Sequence, residues 1–343
     1  MRVLISIDNY FAHYFIRKGI GHALTACGHD VILWDINKRS PFDAFDDIKP
    51  NLFIGQTYNI TDSLVKCIKE YSPKVIMKAS DYGVISDDID RQKYPVQIAS
   101  PKEVEMTNKL RDETGKPDLL YVHYMGERLK DTHTHWIKNG YQVGPLLNAA
   151  DVFVFTGGKK RDVFASDITF IGGRWGYKAK TIDKWVLPLT KQDWNVKIFG
   201  NQSWQIPQYC GFAEEGNEKD IFASATVCPN IHEPHSQDLG YDIVERPFKL
   251  LANKCIVVSD YVEDLEKLLP HVFCCKTPEE YLEKVRKIID NPEEFEYIKE
   301  EGFKHVIENH TYFNRMIDVF DRIGLDSQPI SDAFNKIKLD LLK

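Results

Sequence analysis

Short apolar runs alternate with amphipathic stretches along nearly the whole chain. Residues 2–7 form an apolar run of strand length. Residues 14–27 carry apolar positions at helical spacing and stop at Gly28, and residues 29–34 turn apolar again. This is a β–α–β unit of the kind that opens a Rossmann-like array. Further strands are predicted at 52–55, 75–78, 96–99 and 119–123, with helices at 42–48, 63–70, 101–114 and 129–139. Segments 142–146 and 152–155 close the first series. Apolar strands that alternate with helices imply a mostly parallel sheet covered on both faces.

The polar stretch GGKKRDV at 157–163 interrupts the alternation and reads as an inter-domain connection. A second series then starts with strands at 168–171 and 196–199, a short one at 209–212, and another that ends near Pro229. Residues 231–241 are polar. A helix over 242–253 carries Asp242 and Glu245 at the spacing of a capping box, and a strand follows at 255–259. Helices fill most of the remainder, the last at 331–342 with Ser331 as its cap. The predicted organisation is an N-terminal domain at 1–163, a C-terminal domain at 164–330 and a terminal helix at 331–343 that crosses back to the first domain.

Composition narrows the function. A chain of 343 residues favours two domains over one, and 43% hydrophobic residues suffice for normal cores. The seven cysteines include no CxxC pair and read as buried apolar residues of a reducing compartment. The chain starts directly in a strand, and no stretch reaches membrane-spanning length, so a cytoplasmic protein is expected. Net charge is −7. Residues 1–165 hold 22 Lys and Arg against 21 Asp and Glu, the remainder 22 against 30, so no part is broadly basic. No GxGxxG follows the first strand, which argues against a dinucleotide-dependent dehydrogenase.

Candidate chemistry gathers after predicted strands. Gly172 and Gly173 permit close backbone approach, and Arg174, Lys178 and Lys180 supply cations, which together suit an anion such as phosphate; the bland alternative is a solvated surface turn. Glu245, one turn into its predicted helix, suits ribose hydroxyls, against the alternative of a plain cap. His123 stands at a strand's carboxyl end, where an active-site role competes with a structural hydrogen bond. His133 and His135 would point to different sides of one helix, and Asp46-Asp47 and Asp87-Asp88 read as solvated turns, so no metal is expected.

The second half is also where the chain resembles a family. The run ITFIGGRWGYKAKTIDKWVLPL at 168–189, then 197–200, Tyr209-Cys210-Gly211, KDIFASA at 219–225 and the stretch 230–260 resemble the spore-maturation-protein (CgeB-like) group within the group 1 glycosyltransferases. The resemblance implies the GT-B fold, two Rossmann-like α/β domains facing each other across a cleft. It implies a nucleotide-sugar donor, UDP-sugar favoured, as substrate, and no further cofactor. It places Arg174 and Lys178, with Gly173, at the diphosphate, and Gly211 and Phe212 at the nucleobase. It puts His232 and Glu233 at the sugar, Glu245 at the ribose, and Tyr241, Asp242 and Arg246 around that helix start. Related enzymes show a closer pair of Glu residues; here Glu233 and Glu245 lie twelve apart. The resemblance leans to retention of configuration. An inverting enzyme would need a base from the first domain, for which Asp8, His13 and His123 are candidates.

The acceptor stays open among a glycan, a small molecule, a protein and a hydroxymethylated base in viral DNA. Two other classes fit the same pattern: a two-domain ligand-binding protein without chemistry, and a sugar-nucleotide epimerase. Turnover separates the first, and donor conversion without acceptor the second.

Overall fold

The computed structural model describes residues 1–9, 12–80 and 98–343. Of the expected strand at 96–99, residues 96 and 97 lie outside the described residues, as do Asp87 and Asp88. The chain divides into two compact units: 1–147 with 312–341, and 148–311.

The first unit starts with β1 (Arg2–Ile7), α1 (Ala12–Ala26), β2 (Asp30–Asp35), α2 (Pro41–Ile48), β3 (Leu52–Gln56), α3 (Asp62–Tyr71) and β4 (Lys74–Lys78). It continues through α4 (Pro101–Thr114), β5 (Leu119–Val122), two short helices α5 (Leu129–Thr132) and α6 (Thr134–Lys138), and β6 (Val143–Pro145). All six strands are parallel, in the order β2-β1-β3-β4-β5-β6. β1 and β3 are buried almost throughout because parallel strands inside the sheet are covered on both faces, whereas the edge strand β2 is only partly buried. Ser40 and Thr61 cap α2 and α3 by accepting hydrogen bonds from Asp43 N and Leu64 N. Asp46 and Asp47 sit inside α2 rather than in a turn.

The second unit holds α7 (Val152–Phe155), β7 (Ser166–Ile171), α8 (Gly176–Trp185), β8 (Val196–Phe199), α9 (Glu218–Ala223), β9 (Ala225–Asn230) and α10 (Pro234–Leu239). It goes on through α11 (Arg246–Ala252), β10 (Val257–Asp260), α12 (Glu263–Leu268), β11 (Phe273–Cys275), α13 (Pro278–Asp290) and α14 (Glu296–Asn309). Its five parallel strands run β11-β10-β9-β7-β8. One apolar cluster joins Ile168, Phe170, Ile198, Val258 and Tyr281; a second joins Phe155, Phe248, Leu251 and Val257.

The chain then returns to the first unit with α15 (Tyr312–Ile323) and α16 (Gln328–Leu341). Helix α15 packs on α1, with His29 stacked on Phe320, and Phe313 stacks on Phe334 of α16. Buried Arg315 donates to Leu147 O at 3.2 Å, and burial pulls its guanidinium down to about 10.

Five expectations change. The unit boundary falls after Leu147, not at 163, and the return starts at Tyr312, one helix earlier than 331 would put it. The GGKKRDV stretch is no connection. Gly158 N, Lys159 N and Arg161 N donate to Asn253, Asp220 and Ser224, which pins it to the second unit. Residues 152–155 do not close the first series but belong to the second unit, and they are helical because the Asp151 carboxylate accepts from Phe153 N and starts a turn. The last helix begins at Gln328, so Ser331 lies within it. All seven cysteines are free thiols, and burial pushes Cys27, Cys67 and Cys275 up to about 11 and Cys274 to about 12, which makes them poor nucleophiles. Among the described residues no helix is long and apolar enough to cross a membrane.

Candidate functional site

In the second unit the chain passes from β7 outward to β8, then returns to the other side of β7 with β9. The carboxyl ends of β7 and β9 therefore flank a topological switch point, where open parallel sheets take their ligands. Residues 172–175 leave β7 there, and residues 231–233 leave β9. The backbones crowd. A Cβ on Gly200 would stand 2.4 Å from Gly172 O, and one on Gly172 would meet Arg246 Nη2 and Phe170 at 2.8 Å. Arg246 is wedged between the two strand ends: Nε donates to Ile171 O at 3.1 Å, Nη1 to Asn230 Oδ1 at 3.3 Å, and its guanidinium lies over Phe170.

Two polar pairs are buried beside this wedge. Lys178, in the first turn of α8, donates to Glu233 Oε1 at 3.1 Å. Burial pulls the Lys178 ammonium below its ordinary value, with Glu233 opposing. Burial alone would raise Glu233, but the Lys178 charge and hydrogen bond, helped by His235 and His232, hold it below the ordinary carboxylate range. His232 is fully buried. Its Nδ1 lies 2.8 Å from Asp260 Oδ1, and its backbone N donates to Asp260 Oδ2 at 3.1 Å. Asp260 also accepts from Gln237 Nε2 and, at 3.1 Å, from Ser259 Oγ. Burial would raise its carboxyl, yet the adjacent His232 ring and the hydrogen bonds from His232 and Gln237 keep it below the ordinary range. The carboxylate selects the Nδ1–H tautomer, and Nε2 has no hydrogen-bond partner among the described residues.

The other expected residues fall into two sets. Asp242 stands close by: its Oδ2 meets His235 Nε2 at 2.7 Å, and His235 stacks on Tyr177. Tyr241 is buried. Asp242 takes a left-handed φ of 69° and lies outside the helix, so it forms no capping box; α11 starts only at Arg246, and Pro247, which fits a helix's first turn, marks that start. Glu245 is the residue before α11, mostly buried, and pairs with Lys249 at 2.6 Å. Arg174 bonds to neither buried pair. It is exposed and held by Asp183 through bonds of 2.8–3.0 Å. Gly173 is partly buried beside Asn201, Gly211 has φ 96° and accepts from Gly200 N, and the Phe212 ring is 66% exposed.

In the first unit, Asp8 and His13 each lie against the turn at 57–59 that follows β3. Asp8 accepts from Asn9 at 2.8 Å and from Asn59 at 3.4 Å, and His13 Nδ1 lies 3.3 Å from the Tyr58 hydroxyl. His123 follows β5, three strand positions from β1, which is about 14 Å at ordinary strand spacing. Its Nδ1 meets Leu146 O at 2.7 Å.

Residues 180–321 match the sequence model of the glycosyl transferase-like family. A search of curated proteins finds no match. Among solved structures, the chain is similar to an α-glucosyltransferase in complex with UDP and a 13-mer DNA containing an HMU base. That match has a TM-score of 0.65 at 10% identity and covers 94% of this chain and 99% of the other. T4 phage BGT in complex with UDP and Mn2+ gives 0.60 at 12%, covering 94% and 99%. HepE of Anabaena with UDP and glucose gives 0.58 at 9%, also covering 94% and 99%. The chain has the GT-B fold, two units each built on a parallel sheet.

Sequence reading passed over Asp260, Gln237 and Asp183. Asp260 ends a strand 28 residues beyond His232, so no local spacing signals the pair. Among the described residues no group of three or more His, Cys, Asp or Glu side chains is placed to hold a metal ion. The glycines of the switch point give a first prediction. Gly200→Ala is expected to destabilise the second unit by about 1–3 kcal/mol, because the new methyl meets a backbone oxygen that cannot rotate away. Urea unfolding checks it, and an unchanged midpoint would show that the two loops separate freely.

Proposed function

We propose that the chain transfers a sugar from a UDP-sugar to an acceptor hydroxyl, with the donor held by the second unit. One observation carries the reading: at the β7/β9 switch point, a glycine-constrained loop, a buried Lys178–Glu233 pair and a carboxylate-held His232 lie together. Lys178 and Gly173, joined by Arg174, receive the diphosphate. Glu245 binds the ribose, and Gly211 and Phe212 receive the base. His232 and Glu233 face the sugar, and Tyr241, Asp242 and Arg246 hold the loops in place. UDP as the carrier is supported by the UDP-bound similar structures.

In the reaction, the bond from the anomeric carbon to the β-phosphate oxygen breaks, and one to the acceptor oxygen forms. Charge grows on the departing diphosphate, where preset cations lower the barrier most. We assign retention of configuration, in which the leaving phosphate oxygen takes the acceptor's proton. The cations of the α8 loop neutralise the leaving group, so no metal is required in this reading. Two experiments test these assignments. UDP titrated by calorimetry against the wild type and Glu245→Gln should show an affinity loss of about ten-fold, the worth of one hydrogen bond to a charged group. Turnover should persist in chelator, and the product's anomeric proton should show the donor's configuration by NMR. Equal UDP affinity in the variant removes Glu245 from the site, and loss of turnover in chelator restores a metal to the mechanism.

A further inference from the structure

The first unit has its own switch point, since β1 lies between β2 and β3. A cavity of about 290 Å³ opens beyond these strand ends, under the first turns of α2 and α3. Trp34 and Phe53 form an aromatic side, Pro41 and Leu64 add apolar surface, and Ser63 and Gln56 supply polar atoms. The aromatic side is rigid: Trp34, Phe45 and Phe53 pack on each other with centroids 5.4–6.3 Å apart, and the Trp34 indole N–H is spent on Arg39 O at 2.9 Å. Gln56 is the exception in this apolar setting. It is 1% exposed, its Oε1 accepts from the Tyr58 hydroxyl, and its Nε2 has no partner among the described residues. A buried amide donor without an acceptor is costly, and native interiors usually complete one with a protein group, an ordered water or a ligand.

We propose that this cavity binds a neutral, planar, single-ring group that carries a hydrogen-bond acceptor, the ring lying against Trp34 and Phe53 and its acceptor taking the Gln56 Nε2–H. The size agrees, since the cavity is at the lower end of the range for small-molecule sites. So does the lining, whose described residues offer aromatic faces, the unpartnered Gln56 amide beside neutral polar groups, and no charged side chain. A charged or branched aliphatic ligand would gain nothing from it. In a glycosyltransferase whose donor is held by the second unit, this ring belongs to the acceptor; that assignment of role rests on the function proposed above, whereas the pocket's chemistry does not.

The test uses the full chain with UDP saturating the donor site, so that no probe is read there. Three alcohols of equal size are titrated by ligand-observed NMR: pyridin-4-ylmethanol, which is planar with a ring acceptor; benzyl alcohol, planar without one; and cyclohexylmethanol, which is not planar. The pyridine is expected to bind about ten-fold more tightly than benzyl alcohol, the worth of one satisfied buried donor, and the saturated ring least well. Gln56→Leu should bring the two planar alcohols to within about two-fold of each other. Ser63→Phe, which fills the cavity from its half-buried rim, should abolish binding of both. Equal binding of the two planar alcohols to wild type overturns the proposal. So does a pyridine preference that survives Gln56→Leu, or binding that survives Ser63→Phe. If Gln56→Leu fails to fold by circular dichroism, the wild-type series and Ser63→Phe still decide. UDP affinity, measured in the same samples, should be unchanged by both variants. Its absence in wild type would sink the donor reading alone and leave the pocket's result standing.

Discussion

Lys178→Met is expected to lower turnover by about two to three orders of magnitude, the usual cost of one preset electrostatic contact to a developing charge. It should also destabilise the fold, by about 3 kcal/mol, because Glu233 is left with its carboxylate largely buried and its main counter-charge gone. The two effects separate in the double variant Lys178→Met, Glu233→Leu. Replacing both charges by apolar groups of similar size removes the uncompensated carboxylate, so most of the stability returns, while turnover stays low. Urea unfolding and initial rates on the same three proteins make the comparison. If turnover returns together with stability, the pair only holds α8 to the β9 loop, and the diphosphate is neutralised elsewhere.

Asp260→Asn should cost about 2 kcal/mol at neutral pH, the loss of hydrogen bonds to a buried charge. The pH dependence identifies the cause. The folded carboxyl titrates below its ordinary value of 3.8, so its stabilisation is complete above that value. As pH falls, the unfolded chain takes up the proton first. The stabilisation then drains away and is gone once pH passes below the folded value. The gap between wild type and variant should therefore be full at pH 7 and 5 and shrink below about pH 4. Turnover should fall about 100-fold as well, since nothing then selects the Nδ1–H tautomer of His232. Parallel stability curves from pH 7 to pH 3 would mean that Asp260 contributes shape and not charge.

Much of this architecture can be read from the chain because parallel strands buried on both faces become apolar runs: residues 2–7, 52–56 and 166–171 announce themselves. The β7 loop was legible for a similar reason, since glycines and cations coincide just after a strand. Legibility stops where a contact joins distant positions. Glu233 lies 55 residues from Lys178, and neither has a feature that selects the other. The misread capping box shows a local failure. Asp242 and Glu245 have the right spacing, but α11 starts at Arg246, where Pro247 fits its first turn. The apolar face of α15 is plain from Phe313, Met316 and Phe320, yet periodicity says only that the face is covered, not which unit covers it. The loop marks Arg174 as an anion ligand, but no local pattern marks Asp183, nine residues on, as its partner.

The return of α15 and α16 to the first unit has a consequence for biosynthesis. When the ribosome has made residue 147, the first sheet is complete, but the surface of α1 that α15 will cover is bare. It stays bare while the 164 residues of the second unit, 148–311, are made, roughly 10–30 s at ordinary elongation rates. The second unit is one uninterrupted stretch of chain and can close on itself in that interval. The order of completion is therefore the reverse of the order of synthesis: the half begun first is finished last. A nascent chain stalled near residue 311 would carry a folded second unit behind an adhesive, unfinished first one, and that length is where a chaperone would be most needed.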